Sequence, residues 1–577
     1  MRVKFSRLIF RLVALMWGLL PSLHALTTTV DLGGTGWTFR GTLDGVKHDV
    51  TVPHCWPVMP GYERYIGDAV YERNFEAPPI EAGRSARLHF DAVYYKARVW
   101  LNGRDVGSHE GCYTSFEFDV TEFLKVGTNH LVVEVDNTPT LITIPAIATA
   151  GHSGQGASPY GTLNGEGIFG WMPYGGIVRP VSLIVTKKVF LKNIKIDAKP
   201  DLQRDIAKIT VHVFLRNGSN EDATLTLSGS VAGLEILLPG VKASKNGETE
   251  ISWTGTLVRP HLWSVRDPHL YDASLGIGDE GLKTRFGVRE IRVQGTELLL
   301  NGRPVHLFGA NRVSEDPVEG LRESSAIITR DMNDMLADNV RMMRIAHYPQ
   351  AQELLDFADE HGMLIIAEAG NWNLGAWQMA DPVLRAVWQS QMREMMEEDW
   401  NHPSVIAWSV GNGYESATPQ GIAWTRDMRS YTLDLDSTRL ITFASRFTGD
   451  PNVKTGNDEA SQYSDFVSVN IYGDYGKKLD RVHALWPDKP VFMTEFGHMG
   501  EPGLHDPERI ADITEAVTVM KARPWMIGGA LWTWADYRSL HQGTPPDGIR
   551  RWGTVNFNRE HRDSWKVVQQ LFATELP

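Results

Sequence analysis

From residue 27 to about residue 188 apolar and polar positions alternate over short runs. Examples are Arg87-Leu88-His89-Phe90, Ala97-Arg98-Val99-Trp100-Leu101 and His130-Leu131-Val132-Val133-Glu134-Val135. Turn signals such as Asn102-Gly103 and Gly127-Thr128-Asn129 separate them. A period of two broken by turns predicts antiparallel strands, and this many short strands predicts a β-sandwich of the jelly-roll kind over residues 26–188. A glycine-rich loop over 151–176 interrupts it, and loops this long are usually functional or disordered. Residues 189–290 repeat the β pattern without helix-length periodicity, which fits an immunoglobulin-like sandwich. From residue 291 to 577 strands alternate with amphipathic segments, for example 350–361, 383–400 and 510–521. Eight strand candidates start near Val305, Val340, Met363, Val405, Leu440, Phe466, Val491 and Gly529. Eight βα units in a stretch of this size predict a (β/α)8 TIM barrel.

At 577 residues the chain is too long for one core, which agrees with several domains. A net charge of −13 leaves no basic stripe to displace counterions from phosphates, so nucleic acid is excluded as a partner. Nineteen tryptophans suit a protein that stacks flat aromatic faces on sugar rings, although tryptophan also fills cores. Arg2, Lys4, Arg7 and Arg11, the apolar run 12–20, Pro21 and the small residue Ala25 predict an export signal over residues 1–25. The mature chain is then expected to be secreted or periplasmic, with no membrane segment after signal removal. Only Cys55 and Cys112 occur; pairing and two separate buried thiols both remain open.

In a TIM barrel the chemistry sits just past the strand C-termini. After the seventh candidate comes Met493-Thr494-Glu495-Phe496-Gly497, a carboxylate placed to act as a nucleophile. The fourth ends in Trp408-Ser409-Val410-Gly411-Asn412-Gly413-Tyr414-Glu415, the second in Arg344-Ile345-Ala346-His347-Tyr348-Pro349. The sixth ends in Asn470-Ile471-Tyr472, the eighth in Leu531-Trp532-Thr533-Trp534. Amides, phenols, indoles and a histidine at four strand ends suit a carbohydrate pocket. No glycine-rich phosphate loop precedes a helix.

These runs resemble glycoside hydrolase family 2, the group of β-galactosidases, β-glucuronidases and β-mannosidases. The resemblance also rests on Val52-Pro53-His54-Cys55-Trp56, Gly111-Cys112-Tyr113-Thr114-Ser115, Asp267-Pro268-His269-Leu270-Tyr271, Phe286-Gly287-Val288-Arg289 and His402-Pro403-Ser404-Val405. It implies a sugar-binding jelly roll, an immunoglobulin-like domain and a catalytic barrel. It further implies a retaining mechanism with Glu495 as nucleophile, Asn412 on the sugar 2-hydroxyl and Tyr472 positioning Glu495. Arg344, His347 and Asn470 would shape the pocket, and Trp532 would stack beneath the sugar. No cofactor and no required metal are expected; Glu368, at the end of the third strand, is expected to pair with Arg344. The expected partner is an oligosaccharide or glycoside, and a homo-oligomer is left open.

Four departures matter. In the family the residue after the asparagine at position 412 is the acid/base glutamate, and here it is Gly413. Retaining glycosidases use a second carboxyl about 5–5.5 Å from the first, to protonate the leaving oxygen and later deprotonate water. Glu415 is the first candidate to replace it. Asp474, Asp316 and a substrate whose leaving group needs no proton are the alternatives, and a carbohydrate-binding pseudoenzyme is the rival class. A pocket histidine of the family is also absent, its run reading Asn311-Arg312-Val313-Ser314-Glu315. Finally, the Asn-x-Lys run of β-glucuronidases is absent. Arg550 and Arg551 stand near its place, and Arg341 replaces an asparagine before Arg344; these three could bind an acidic or sulfated sugar.

Overall fold

The computed structural model describes residues 27–149, 170, 172–541 and 543–573. The expected export signal and most of the glycine-rich stretch 151–176 lie outside the described residues. The N-terminal region forms two antiparallel sheets. One runs in the order His48–Val52, Gly34–Gly41, Asp68–Ala77, Gly127–Asp136, Lys96–Leu101, Arg104–Glu110. The other runs Thr28–Asp31, Val181–Lys187, Arg84–Phe90, Phe116–Asp119. Trp37, Val99 and Val133 from the first share one buried core with Leu88, Phe90 and Leu183 from the second. The alternation read from sequence is the reason: along Gly127–Asp136 every second side chain is buried.

The second sandwich packs a three-stranded sheet (Val189–Asp201, Ile206–Asn217, Gly247–Val258) against a four-stranded one (Leu234–Ala243, Ala223–Val231, Tyr271–Ile277, Glu280–Phe286). Val211, Val213, Leu227 and Leu275 lie between them.

The third unit is a closed eight-stranded parallel barrel. Its strands are Leu307–Arg312, Met342–Ile345, Leu364–Glu368, Val405–Asn412, Leu440–Ser445, Val467–Asn470, Val491–Phe496 and Met526–Leu531. Every expected start lies within three residues of the observed one. The first four strands are buried along their whole length, as barrel strands covered on both faces must be. Around them lie helices α1 (Ser325–Ala337), α2 (Gln352–His361), α3 (Ala376–Ala380), α4 (Pro382–Asp399), α5 (Pro419–Leu435), α6 (Tyr475–Leu485), α7 (Pro507–Lys521) and α8 (Asp563–Leu571). A small sheet, Ile291–Gln294 with Glu297–Leu300 and Arg303–Pro304, stoppers the barrel's N-terminal end. Its Ile291, Leu298 and Leu300 pack with Met342, Leu364, Ile406 and Phe492 from the strand starts. The barrel's open end is therefore the C-terminal one.

The first sandwich reaches the open end, and both sandwiches contact α4 toward its C-terminal end. The Tyr113 ring stacks on Tyr348 at 4.1 Å between centroids, and Thr114 Oγ1 and the Ser115 amide donate to Glu394 and Glu398 of α4. From the second sandwich, the Ile194 carbonyl accepts from Trp400 Nε1 at the end of α4. Cys55 and Cys112 are both buried and unpaired, which settles the alternative left open by their number. Among the described residues no helix is long and apolar enough to cross a membrane.

Candidate active site

Strand ends one, three, four and seven converge on Arg344, which stands near the end of strand two. Its guanidinium is fully buried and spans two carboxylates. Nε and Nη2 donate to Glu368 at 2.9–3.1 Å, and Nη1 donates to Glu495 Oε1 at 3.0 Å. Nη1 also donates to Asn311 Oδ1 at 3.0 Å, and Nη2 to Asn412 Oδ1 at 2.9 Å. The arginine is thus consumed by protein groups, and its work is to orient Glu495 and Asn412. The expected pairing of Glu368 with Arg344 is present. Burial alone would raise the Glu368 carboxyl, but the Arg344 charge and bonds from His347 and Ser409 hold it down at about 2.

Glu495 is 6 % exposed at the open end. Its Oε2 accepts from the Tyr472 hydroxyl at 2.8 Å, and His347 Nε2 lies 3.6 Å from its Oε1. A carboxylate offers about four lone-pair sites, so two such bonds fix the group and leave lone pairs for attack. Desolvation of the hydroxyl and the Glu495 charge both push the Tyr472 phenol well above its ordinary value although the residue as a whole is 38 % exposed, so the hydroxyl stays a donor. His347 Nδ1 lies 2.8 Å from Glu368 Oε2 and 2.9 Å from Arg344 Nη2; the two Nη2 hydrogens have Glu368 and Asn412 as acceptors and a carboxylate only accepts, so the arrangement is met when Nδ1 carries the proton. Burial, reinforced by the Arg344 charge, pulls His347 below its ordinary value. The neutral ring then offers Nε2 as an acceptor to a sugar hydroxyl.

Asn412 Oδ1 accepts from both Arg344 and, at 2.9 Å, Asn470 Nδ2, which leaves its own NH2 to donate to a ligand. Asn470 Oδ1 accepts from Thr494 Oγ1 at 2.7 Å. Asn470 therefore holds Asn412 in place, one layer behind the role expected for it. The Trp532 ring stacks on His347 at 5.2 Å, with Tyr537 edge-on at 5.9 Å. Val313, where the resemblance implied a histidine, packs with Trp532, Tyr537 and Ala346 as apolar wall.

Three expectations change. Arg341 precedes the first residue of its strand, Met342, and its amide bonds the Phe308 carbonyl at the barrel's stoppered end. Three strand residues span about 10 Å, so Arg341 is at the opposite end from the site and is not a pocket residue. Glu415 is buried with its carboxylate on the Ala376 amide at 2.7 Å, at the start of α3, and its own amide donates to the Leu374 carbonyl. It serves that helix end rather than reaching toward Glu495. Asp316 is likewise engaged, by Arg330 and by the Val318 and Glu319 amides.

Family models match along the chain as follows: the sugar binding domain of glycosyl hydrolases family 2 at residues 37–185, the family 2 domain at 189–289, and the family 2 TIM barrel domain at 291–563. The chain belongs to glycosyl hydrolase family 2. Among its relatives, a β-glucuronidase of Streptococcus agalactiae is 26% identical over an alignment 612 positions long, gaps included, covering 96% of this chain and 98% of that protein. The mouse β-glucuronidase is 24% identical, covering 88% and 82%. A crystal structure of a β-galacturonidase from Eisenbergiella tayi bound to galacturonate has the same fold, with a TM-score of 0.83 at 24% identity over 95% of this chain and 97% of that one. This family 2 chain is a glycoside hydrolase.

Gly413 has φ of +60°, the left-handed region, and an added Cβ would stand 2.2 Å from the Asn373 amide terminus. That amide bridges the Gly413 carbonyl at 2.9 Å and Trp372 Nε1 at 3.2 Å. The backbone and its neighbour are both fitted to the absence of a side chain. Asn311, Ser409, Asn373 and Tyr537 belong to the site but were not foreseen. Asn311 ends the first barrel strand, and the strand-end rule applied there would have found it. Tyr537 lies beyond the eighth strand, where no periodicity signals a role.

Proposed function

We propose that this family 2 hydrolase is an exported, retaining exo-β-glycosidase that forms a glycosyl-enzyme on Glu495 and acts without a protein general acid at position 413. Export rests on the N-terminal sequence, and the terminal β-linked sugar on the relatives named β-glucuronidase and β-galacturonidase. The observation that carries the mechanism is Glu495 itself, held by Arg344 and Tyr472 at the open end of the barrel. Its oxygen attacks the anomeric carbon as the bond to the aglycone breaks, and that electron pair leaves on the aglycone oxygen. Water then displaces Glu495, which leaves as its carboxylate, and the water's proton passes to solvent; two inversions return the β configuration.

With Gly413 in place of a carboxyl, the leaving oxygen departs as its anion. General acid catalysis is worth about 10²–10⁴-fold. Aryl or other acidic aglycones are therefore the substrates, in preference to alkyl glycosides. The test is kcat/KM across aryl β-glycosides of falling leaving-group acidity, with and without azide. A steep dependence, and a β-glycosyl azide product, support the proposal. Equal turnover of good and poor leaving groups points to a substitute carboxyl. Absence of turnover together with absence of covalent labelling on Glu495 by a 2-fluoro glycoside would leave a carbohydrate-binding protein.

A further inference from the structure

We infer that Arg446 is a further catalytic residue, its guanidinium holding the negative charge that leaves on the aglycone oxygen; this rests on the acid-free glycosidase reading above. Asn412 and Glu495 share the Arg344 guanidinium, so Gly413, next along the chain, stands beside the reacting carbon. Strand five borders it directly. Asn412 is in register with Ala444, and the Gly413 amide donates to the Ala444 carbonyl at 2.8 Å. Arg446 lies two residues further on, just past the last strand residue, Ser445, and is exposed at the barrel's open end. The three heavy atoms nearest to a Cβ built on Gly413 belong to Asn373 and Arg446, with the Asn373 amide terminus at 2.2 Å and Arg446 Cδ at 3.6 Å. The place where a side chain at 413 would emerge is thus bordered by a neutral amide from the loop after strand three and by a cationic side chain from the end of strand five.

The backbone that carries Arg446 is tied down on both sides. The Phe447 amide donates to Ser445 Oγ at 3.1 Å, and Ser445 Oγ donates to the fully buried Glu459 at 2.8 Å. Arg481 of α6 donates to the carbonyls of Thr448, Asp450 and Val453. The Arg446 guanidinium carbon stands 5.2 Å from the Phe447 ring, a cation–π contact. A guanidinium is always charged and only donates. As Glu495 attacks, the electron pair of the breaking C–O bond passes to the aglycone oxygen, and no proton is transferred. A charged donor already in place stabilises that oxygen without having to reorganise. The aglycone departs as its anion and takes its proton from water. Of the two side chains that border the space, Asn373 is neutral and engaged by the Gly413 carbonyl and Trp372, so the charge can come only from Arg446. The substrates that follow are glycosides of phenols or other weakly acidic hydroxyls, whose anions a guanidinium can hold.

The experiment measures kcat/KM on the full chain for 2,4-dinitrophenyl, 4-nitrophenyl, 4-chlorophenyl and phenyl β-glycosides of one sugar. That sugar is the glucuronide, galacturonide or galactoside that the parent turns over fastest. Arg446→Gln should lose about 10- to 100-fold on the phenyl glycoside, as one charged hydrogen bond to the leaving oxygen is removed. The loss should be least on the dinitrophenyl glycoside, whose oxygen carries the least charge, so the dependence on leaving-group acidity steepens. Arg446→Lys keeps the charge and should keep most of the rate on every substrate. Arg426→Gln, exposed on α5, removes a positive charge elsewhere and should leave the slope as it is. An equal loss on all four substrates, a change confined to KM, or an unmoved slope in a folded Arg446→Gln overturns the inference and leaves hydrolysis through Glu495 standing. A parent that hydrolyses phenyl and dinitrophenyl glycosides equally overturns the acid-free reading, and the inference with it. A parent that hydrolyses none of them and is not labelled on Glu495 by a 2-fluoro glycoside overturns the glycosidase reading itself, and the inference with it.

Discussion

Restoring a glutamate at position 413 tests the mechanism most directly. The side chain must be carried at φ of +60°, where a non-glycine residue costs about 1–2 kcal/mol. Its Cβ must also displace the Asn373 amide from 2.2 Å, breaking the bonds to the Gly413 carbonyl and Trp372. Two such bonds are worth about 2 kcal/mol together, so Gly413→Glu alone should destabilise the barrel by about 3–4 kcal/mol. Its gain on alkyl glycosides should stay well below the full effect of a general acid. Asn373 itself has φ of +48°, so glycine there is tolerated and empties the needed volume. The double variant Gly413→Glu, Asn373→Gly should melt above the single one and hydrolyse alkyl glycosides about 10²–10⁴-fold faster than the parent. Nitrophenyl glycosides should gain little, because their leaving group needs no proton. The assay is kcat/KM on both classes beside thermal melts of all four members of the cycle. If Gly413→Glu melts with the parent, the steric account is wrong. If the folded double variant gains nothing on alkyl glycosides, the space beside Asn412 is not where a proton donor acts.

Three further outcomes follow from the same geometry. Tyr472→Phe removes the 2.8 Å donor to Glu495 and should lower kcat about 10- to 100-fold on nitrophenyl substrates, with the melt unchanged; an unaffected kcat would remove Tyr472 from the mechanism. Asp338, buried at the C-terminal end of α1 with neither oxygen bonded, is raised by burial to about 9, with Asp334 adding to the shift. Its contribution to stability is full below the unfolded value near 3.8 and is lost as pH rises toward 9. Asp338→Asn should therefore stabilise the fold by up to about 4 kcal/mol at pH 7 and flatten melting between pH 4 and 9; an unchanged pH slope refutes it. Cys55 and Cys112 are buried, and burial pushes the Cys55 thiol up to about 12. A thiol reagent should then label neither until unfolding releases two, and fast native labelling would contradict that burial.

The three-unit architecture was legible because each unit announces its own period: two for the sandwiches, strand alternating with amphipathic helix for the barrel. The eight strand starts followed from that alone. Once a barrel was read, its C-terminal ends nominated Glu495, Asn412, Arg344, His347 and Tyr472, which the fold brings within hydrogen-bonding reach of one another. Chain order by itself could not say which arginine faces the pocket. Arg341 and Arg344 are three residues apart, yet one precedes the second strand and the other lies near its C-terminal end, and Arg550 and Arg551 are neighbours with different partners. Arg551 is tied to Asp547, and Arg550 has no ion pair among the described residues. Nor could sequence decide between Glu415 as a mobile acid and Glu415 as a helix-end ligand, because that depends on the Ala376 amide arriving from the neighbouring βα loop. Sequence determined the periods, and with them the elements and the residues at their ends. Tertiary structure decided the partners, because a charge or amide acts on whatever lies within a few ångströms of it, and neighbours such as Arg344 and Glu495 come from strands 151 positions apart.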